Sequence, residues 1–269
     1  NYNFDANIDD GSCEYLGDYS LSFDGVDDYV SIEDNESLDL TNQLTLSAWI
    51  KPSESGNGRY RTIVSKRLNS SSNCNYQLGL KNDSGVNEGR LLWYTSGTQV
   101  LSSYIPDVDV WTHVAATVTD GTNLIMYANG IEVMNTTITP LTSNNVNLQI
   151  GKASNYTDEV FKGNIDEVQL WNRALSIEEI QQIVVDEQFP EDMDESLVAY
   201  WDFNEGEGNT LPDISGNGNH GILNGCSVGL EPIDRIPHTT LPYRTRPGKY
   251  FSQFHHGYTS QLTKPTAWF

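Results

Sequence analysis

Positive charge is scarce in this chain. Its 269 residues contain 37 Asp and Glu but only 15 Lys and Arg, which gives a net charge of −22, and the first base is Lys51. Nucleic acids and anionic membrane surfaces are bound through positive patches, so the composition argues against both as partners. A divalent cation is a natural counter-charge for such a chain.

Cysteine and long hydrophobic runs are also scarce. Three cysteines, Cys13, Cys74 and Cys226, are too few for a disulfide scaffold and allow one bridge with one thiol left over. No apolar run approaches the ~18–20 residues of a membrane-spanning helix. The chain begins at Asn1 without a signal peptide, so we expect a processed or partial product of an exported protein.

The middle of the chain alternates apolar and polar residues with a period of two, which is typical of half-buried strands. The stretch LTLSAWI, residues 44–50, places Leu44, Leu46, Ala48 and Ile50 on one face. The runs NLIMYA and IEVMNTTI are joined by Asn-Gly, the sequence of a type I′ hairpin turn. Further strands are predicted at residues 62–65, 76–80, 90–94, 147–151, 165–171 and 197–203. Many short strands separated by turn residues indicate an all-β fold, a two-sheet antiparallel sandwich or jelly roll.

One short helix is predicted in the stretch ALSIEEIQQIV. Ser176 is a suitable N-cap, and Glu179 three residues later completes a capping box. Ile177, Ile180 and Ile183 are expected on one side of this helix.

Composition divides the chain into three parts. Residues 1–16 form an Asp/Asn-rich partial repeat or linker, and residues 17–229 carry the alternating strands. Residues 230–269 form an arm rich in proline, aromatic residues and bases, with five of the 15 bases. Aromatic residues such as Tyr250 and Trp268 are too apolar to remain in water, so we expect the arm to pack on its own sandwich or on a neighbouring molecule. In the second case it could add a strand to an exposed sheet edge.

Five phrases together resemble the laminin-G-like, concanavalin-A-like jelly-roll family. They are SLSFDGVDDYVSI, LTLSAWIKP, WTHVAATVTDGTNLIMYANGIEV, GNIDEVQLWNRALSIEEI and LVAYWDFNEGEGNTLPDISGNGNHGIL. They are most similar to the pentraxin-related branch found in secreted bacterial and viral proteins, and they cover residues 19–223. The resemblance implies two antiparallel sheets of six or seven strands each, with the chain ends meeting on one side. The N-terminal NYNFDANIDDGSCEY separately resembles part of an Asp-rich, one-cysteine repeat.

The meeting of the chain ends in this family implies a disulfide. Cys13 precedes the first predicted strand and Cys226 follows the last, so the resemblance implies a Cys13–Cys226 bridge. Cys74 would then be free or linked to another chain.

Carboxylates crowd into the turn FDGVDD, where Asp24, Asp27 and Asp28 follow one another closely. The family resemblance places Asp24 in a calcium site, and calcium requires six to eight oxygen ligands. The further candidate ligands are Asp166, Asp202, Asp213 and Asn217. The alternative is that the turn carboxylates only cap local N–H groups.

A second possible metal loop lies in DANIDDGS. Asp5, Asn7 and Asp9 occupy alternate positions, as calcium loops require, but Gly11 comes one residue late. The alternative is a solvated acidic linker.

Glycan binding is the activity that the resemblance implies. It requires aromatic faces for sugar C–H surfaces and polar groups for the hydroxyls. The candidate ligand-binding residues are Trp93, Tyr94, Tyr104 and Tyr156. The alternative is that tryptophans form the core, which we expect of Trp49, Trp111, Trp171 and Trp201 and which is open for Trp93.

Catalytic motifs are missing from the sequence. It contains no Glu-x-Asp-x-x-Glu strand, no His-Glu-x-x-His helix, no Gly-x-Ser-x-Gly elbow and no phosphate-binding glycine loop. We therefore expect a protein that is not an enzyme and that has no catalytic residues.

The sequence predicts an extracellular, calcium-stabilised recognition or adhesion module that binds a glycan or glycoprotein at a cell or virion surface. The alternative is a structural subunit of a surface layer, fibre or virion that self-associates through residues 231–269. Sequons at Asn35, Asn69, Asn82, Asn135 and Asn155 fit exposed loops of an exported glycoprotein.

Overall fold

The computed structural model describes residues 19–53, 59–68, 73–82, 88–154, 158–186, 195–204 and 208–229. Within these ranges there are sixteen strands and one α-helix, α1 (Ile177–Asp186). The strands are β1 (Ser20–Asp24), β2 (Tyr29–Ile32), β3 (Leu44–Pro52), β4 (Tyr60–Arg67), β5 (Cys74–Lys81), β6 (Leu91–Thr95), β7 (Thr98–Leu101), β8 (Thr112–Thr119), β9 (Asn123–Ala128), β10 (Ile131–Thr137), β11 (Leu148–Ile150), β12 (Lys162–Trp171), β13 (Leu197–Trp201), β14 (Thr210–Leu211), β15 (Gly221–Asn224) and β16 (Ser227–Gly229). The segment 1–16 and the arm 230–269 lie outside the described residues and stay predictions.

The described strands form two antiparallel sheets of eight strands each. The β1 sheet has the order β10-β9-β8-β3-β12-β1-β16, with β13 also paired to β12. The β2 sheet has the order β14-β15-β2-β11-β4-β5-β6-β7. This is the predicted antiparallel jelly-roll sandwich. It has more strands per sheet than the expected six or seven, because β14 and β16 are too short to show an alternating pattern.

Among the connections that cross from one sheet to the other, two short turns lie close together. The first crossing turn joins β1 to β2 (residues 24–29), and the second crossing turn joins β15 to β16 (residues 224–227). β1 pairs with β16, with Ser20 opposite Gly229, while β2 pairs with β15, with Tyr29 opposite Asn224. The two crossing turns therefore lie side by side, and the first and last described strands meet, as the resemblance implies.

The core lies between the two sheets and is filled by alternate residues of their strands. The four apolar residues of β3 from Leu44 to Ile50 are buried in it, as the period of two predicts. Asn129 and Gly130 turn between β9 and β10 with φ values of +48° and +73°. These positive values are those of a type I′ hairpin, so this prediction is confirmed.

The four tryptophans expected in the core occupy different environments. Trp201 lies between the sheets. Trp171 belongs to a second apolar cluster together with residues of α1. Trp49 is buried beside His113, with ring centroids 5.4 Å apart, and alternation places it on the face of β3 away from the core. Trp111 is only half buried.

Helix α1 begins with the predicted capping box. The Glu179 N–H donates to Ser176 Oγ (3.3 Å), and the Ser176 N–H donates to Glu179 Oε2 (2.8 Å). Ile180 is fully buried, but Ile177 is exposed, so the buried side of the helix is narrower than predicted. No helix in the described part of the chain has the length and hydrophobicity needed to cross a membrane.

Candidate functional site

Three carboxylates meet in the first crossing turn. Asp24 ends β1, and Gly25 follows with a φ of +79°. Asp28 Oδ2 accepts the N–H of Asp24 (2.7 Å), and Asp24 Oδ1 accepts the N–H of Val26 (2.7 Å). One oxygen from each of Asp24, Asp27 and Asp28 lies within 4.8 Å of the others. The structure thus brings the predicted Asp24 and Asp27 together and adds Asp28.

Asp28 is the buried member of this group. It is 7% exposed, whereas Asp24 and Asp27 are exposed. Burial raises the pKa of Asp28, and the charges of Asp24 and Asp27 raise it further, against the lowering effect of the hydrogen bond from the Asp24 N–H. The turn therefore disfavours the ionised form of Asp28 unless a cation lies close to it.

Two residues from distant parts of the sequence flank this turn. Lys162 lies opposite Asp24 in the β1–β12 pair. Its side chain passes close to Gly25, where an added Cβ would lie 2.9 Å from the Lys162 Cβ. A Cβ on Gly225 would lie 2.4 Å from Asp28 Oδ1. The absence of a side chain at position 225 therefore lets the Asp28 carboxylate pack against this glycine, and the aliphatic part of the Lys162 side chain lies beside Gly25.

The donors of the first crossing turn fit calcium. Calcium binds oxygen at ~2.3–2.6 Å, so two oxygens on one ion lie at most ~5 Å apart. The three carboxylates satisfy this limit, since their oxygens lie within 4.8 Å of one another.

The loop after β14 uses its predicted metal ligands to fix its own backbone. Asp213 is buried, and its carboxylate accepts the N–H groups of Tyr200 (3.0 Å) and Asn219 (2.9 Å). Asn217 Nδ2 donates to the carbonyl oxygen of Leu197 (2.8 Å). These hydrogen bonds give Asp213 and Asn217 a structural role in the loop.

The remaining predicted ligands are also engaged locally. Asp202 accepts a hydrogen bond from Asn204 Nδ2 (3.3 Å), and the fully buried Asp166 accepts the N–H of Glu167 (2.7 Å). Among the described residues, the acids of the first crossing turn form the one group of three or more acid, histidine or cysteine side chains with ligand atoms close enough for one ion. Asp166, Asp202 and Asp213 belong to no such group.

The predicted site residues outside the described part of the chain are Asp5, Asn7, Asp9, Cys13, Asn69, Asn155 and Tyr156. The second metal loop and the Cys13–Cys226 bridge therefore stay predictions. Cys226 is a thiol in the structure, and its Sγ donates to the Asn224 carbonyl oxygen (3.4 Å). Burial, followed by the charge of Asp28, raises the pKa of Cys226 to about 12. Cys74 is a buried thiol.

A second polar group lies on the face of the β2 sheet that points away from the core. Residues 76, 78 and 80 of β5 belong to the core, so Gln77 and Lys81 point to the opposite face. In the strand pairing, Tyr94 lies opposite Gln77, and Tyr60 lies opposite Lys81. The Lys81 Nζ lies 4.8 Å from the centroid of the Tyr60 ring.

Arg67 connects the members of this group. Its guanidinium lies 4.4 Å from the centroid of the Tyr94 ring and 5.8 Å from that of Tyr60. Its Nη1 donates to Gln77 Oε1 (3.0 Å) and to Glu159 Oε2 (2.9 Å). The two tyrosine rings are 6.1 Å apart and inclined by 45°. We call Tyr60, Arg67, Lys81, Tyr94 and Glu159 the tyrosine–arginine cluster.

Glu159 reaches the cluster from the hairpin between β11 and β12. A bridge between Lys152 and Val160 and a hydrogen bond from the Ala153 N–H to the Glu159 carbonyl (3.2 Å) close this hairpin. Burial raises the pKa of Glu159, and Arg67 opposes that shift. The same connection carries the predicted residue Tyr156 in its sequence, which lies outside the described residues and stays a prediction.

Two other predicted ligand-binding residues do not join the cluster. Trp93 is fully buried in the core, so its ring is unavailable for stacking and the core alternative is correct. Tyr104 is half buried and hydrogen-bonds to Thr112 of the β1 sheet, while burial raises its pKa.

The sequence interpretation missed Tyr60, Arg67 and Glu159. A signal for the first two was present: residues 59–90 contain six of the 15 bases and only two acids, in a chain with a net charge of −22. Glu159 carried no such signal, because it is brought to Arg67 only by the fold.

The three described sequons differ in accessibility. Asn35 is exposed and caps a 3₁₀ turn, where its Oδ1 accepts the N–H of Ser37 (2.9 Å). Asn135 is exposed on the edge strand β10. Asn82 is 7% exposed, so the expectation of an exposed sequon is wrong at this position.

Comparison with known proteins establishes the family. The sequence profile of the concanavalin A-like lectin/glucanases superfamily, laminin G type, matches residues 24–181. The chain therefore belongs to this superfamily, as its motifs predict. A search of curated protein sequences found no match.

Solved structures of similar fold include a candidate carbohydrate-binding protein from Bacteroides ovatus ATCC 8483. It is 18% identical with a TM-score of 0.64, and the match covers 81% of this chain and 60% of that protein. Domain 4 of AbnA, an extracellular arabinanase from Geobacillus stearothermophilus solved with arabinotriose, is 22% identical with a TM-score of 0.49, covering 61% and 76%. A heptameric SAP-like pentraxin from Limulus polyphemus is 17% identical with a TM-score of 0.48, covering 64% and 84%.

Proposed function

We propose that this protein is an extracellular, non-catalytic carbohydrate-recognition module that acts at a cell or particle surface and is stabilised by calcium. The observation that carries the proposal is the tyrosine–arginine cluster on the face of the β2 sheet away from the core. Membership of the concanavalin A-like lectin/glucanases superfamily supports it. So does the similar fold of the Bacteroides protein described as a candidate carbohydrate-binding protein.

The chemistry of the cluster suits a sugar. Sugar rings present C–H surfaces that pack on aromatic faces, and hydroxyls that need donors and acceptors. Tyr60 and Tyr94 supply two rings inclined by 45°. These rings are 2% and 6% exposed and lie under Lys81 and Arg67, so a sugar would have to displace these two side chains to stack on them. Arg67 and Lys81 supply donors beside these rings, and Glu159 supplies an acceptor.

The proposal is for binding without catalysis. Retaining glycosidases place two carboxyl groups ~5–5.5 Å apart across the scissile bond. The Glu-x-Asp-x-x-Glu strand that provides this pair on related folds is absent from the sequence. Glu159 instead forms an ion pair with Arg67, with its oxygen 2.9 Å from the arginine nitrogen.

Calcium has a structural role in this proposal. Asp24, Asp27 and Asp28 would hold the ion beside Gly225. Since β1 and β2 lie in different sheets, an ion in the first crossing turn would tie the two sheets together. A ligand that binds only the native state stabilises it by an amount that grows with ligand concentration.

A glycan array probed with the full chain, in calcium and in EDTA, tests the proposal. We expect binding to at least one carbohydrate class and a loss of that binding in Tyr94→Leu. Tyr127→Leu is the matched control, because Tyr127 is an equally buried tyrosine on the β1 sheet. Failure of the folded protein to bind any glycan would contradict the proposal.

The alternative function, an assembly subunit, depends on residues 230–269, which lie outside the described part of the chain. Light scattering of the full chain and of a chain ending at Gly229 distinguishes the two functions. Loss of oligomers with the arm, together with an empty glycan array, would favour the subunit.

A further inference from the structure

We infer that one end of the sandwich binds the acid-free C-terminal stretch, residues 236–269, of a second copy of this chain. The inference does not rest on the proposed function, because it uses no residue of the tyrosine–arginine cluster or of the first crossing turn. It adds to the alternative function the surface that would receive the arm.

Exposed apolar side chains are concentrated at this end. Among the described residues, eight large hydrophobic side chains are exposed, and four of them lie in two neighbouring connections. Ile105, Val108 and Val110 belong to the connection from β7 to β8 and are 49%, 48% and 50% exposed. Ile131 follows the turn from β9 to β10 and is 51% exposed. Exposed apolar side chains that lie together mark interaction surfaces, whereas single ones do not.

The two connections lie side by side. The Asn129 N–H donates to the carbonyl oxygen of His113 (2.8 Å), which holds the turn from β9 to β10 against the start of β8. The connection from β7 leads into the same start of β8. We call the exposed residues of both connections the apolar–acidic rim: Ile105, Asp107, Val108, Asp109, Val110, Ile131 and Glu132.

Backbone hydrogen bonds fix the longer connection to both sheets. The Leu91 N–H at the start of β6 donates to the Tyr104 carbonyl oxygen (3.0 Å). The Asp109 N–H donates to the carbonyl oxygen of Pro52 at the end of β3 (2.8 Å). The rim is therefore a preformed surface, and a partner loses less binding energy to ordering it than it would on a loose loop.

The charge of the rim indicates the chemistry of its partner. Residues 91–151 contain four acids and no lysine or arginine. Three of these acids, Asp107, Asp109 and Glu132, are exposed in the rim. A complementary partner combines apolar groups with positive charge.

The C-terminal stretch of the same chain has this composition. Residues 236–269 contain four bases, seven aromatic residues and no acid, whereas all 37 acids of the chain precede them. Their lysines and arginines can pair with the rim carboxylates, and their aromatic rings can pack on the rim aliphatics. The partner that the rim requires is therefore present in every copy of the chain.

The direction of β16 favours contact between molecules. β1 and β3 end, and β8 begins, at the end of the β1 sheet where the rim lies. β16 is antiparallel to β1, so it starts at this end and runs away from it. Gly229 is thus directed away from the rim of its own molecule. Because the rim and the stretch are different surfaces, the contact is heterologous and can extend beyond a dimer.

Sedimentation of the full chain tests the inference. We expect species larger than the monomer, with a share that rises with protein concentration. An excess of a synthetic peptide of residues 236–269 should compete for the rim and dissociate them. Added salt should weaken the association, because it screens the attraction between the bases and the rim carboxylates.

Two substitutions locate the receiving surface. Val108→Lys replaces an apolar rim side chain with a positive charge and should weaken association about tenfold or more. Val185→Lys is its matched control, because Val185 is also an exposed valine (62%) but lies on α1. Asp109→Asn should weaken association about twofold to fivefold, the range of an exposed ion pair. Its control is Asp120→Asn, since Asp120 is also exposed with a positive φ (+51° against +59°) but follows β8 at the opposite end of the sheet.

The outcomes decide the inference independently of the proposed function. A full chain that stays monomeric at every concentration overturns it. Association that the peptide reverses but that Val108→Lys and Asp109→Asn leave unchanged also overturns it, because the stretch then binds another surface. Binding of the full chain to phosphatidylcholine vesicles that is lost in Val108→Lys would assign the rim to a lipid surface instead. Glycan binding, measured on the array, decides only the proposed function.

Discussion

The ammonium of Lys66 lies 2.5 Å from the Oδ1 atom of Asp34, although no part of the lysine side chain reaches solvent. Asp39 Oδ1 is 3.1 Å from the same nitrogen. The carbonyl oxygens of Asn144 (2.9 Å) and Val146 (2.8 Å) complete a cage of four oxygens. Lys66 thereby ties the segment that follows β2 to the segment that precedes β11.

Substitution of Lys66 by Met should destabilise the domain strongly. Met keeps most of the side-chain volume, but it leaves two carboxylates and two carbonyls without their shared donor. We expect the free energy of unfolding to fall by about 3 kcal/mol, measured by urea denaturation at neutral pH. Lys51→Met, at a half-buried position on β3, is the control and should change it by less than about 0.5 kcal/mol. Equal stability of the two variants would show that the cage contributes little.

Calcium should reverse the effect of removing one acid from the first crossing turn. In EDTA, Asp27→Asn relieves repulsion among three carboxylates, so we expect its Tm to equal or exceed that of the wild type. The variant lacks one calcium ligand, so calcium should raise its Tm by less than it raises the Tm of the wild type. At a calcium concentration 100-fold above Kd, the free energy of unfolding of the wild type should rise by about 2.7 kcal/mol. The exposed Asp107→Asn is the control, with no change in the calcium-dependent gain. A wild-type Tm indifferent to both calcium and EDTA would refute the metal site.

The pH dependence of the stability measured in EDTA should show the cost of ionising the buried Asp28. Its folded-state pKa is raised above 3.8, chiefly by burial. Its contribution to stability is therefore fully present below about pH 3.8 and is lost as pH rises through the folded-state pKa. Relative to Asp28→Asn, the wild type should be most stable near pH 4 and lose that advantage towards pH 7. Denaturation of both proteins across this range measures the difference, and an opposite slope would contradict the assigned shift.

Alanine at two glycines should separate backbone strain from steric conflict at the metal site. Gly225 and Gly216 both have positive φ values, +75° and +87°, but a Cβ would meet the Asp28 carboxylate only at Gly225 and nothing within 4 Å at Gly216. Gly216→Ala should cost about 1 kcal/mol from the left-handed conformation alone. Gly225→Ala should cost about 3 kcal/mol, because the overlap adds to that strain, and it should also abolish stabilisation by calcium. Equal costs, with calcium stabilisation retained, would show that Gly225 has no special relation to Asp28.

The fold could be predicted from the sequence in most of its parts. The alternation in residues 44–50, the Asn129-Gly130 turn and the Ser176–Glu179 capping box are local signals, and the structure confirms each of them. Strands such as β14 and β16, of two and three residues, carry no such signal and are set by their partners in the sheet.

The candidate sites were only partly predictable, because they depend on contacts between distant residues. The acids at positions 24 and 27 are neighbours in sequence and in space, so their cluster could be anticipated. Gly225 and Lys162 approach that turn only through the pairing of β1 with β16 and β12. The Arg67–Glu159 pair likewise joins residues 92 positions apart.

The pairing of β1 and β2 also governs when this domain can fold during synthesis. Both partners of β1, β12 and β16, and both partners of β2, β11 and β15, begin at or after Leu148. The first two strands therefore emerge from the ribosome with no hydrogen-bonding partner until more than half of the chain has been translated. At ~5–20 residues per second this leaves their backbone edges open for several seconds. During this interval a chaperone, or the repulsion between acidic side chains, has to keep nascent chains apart.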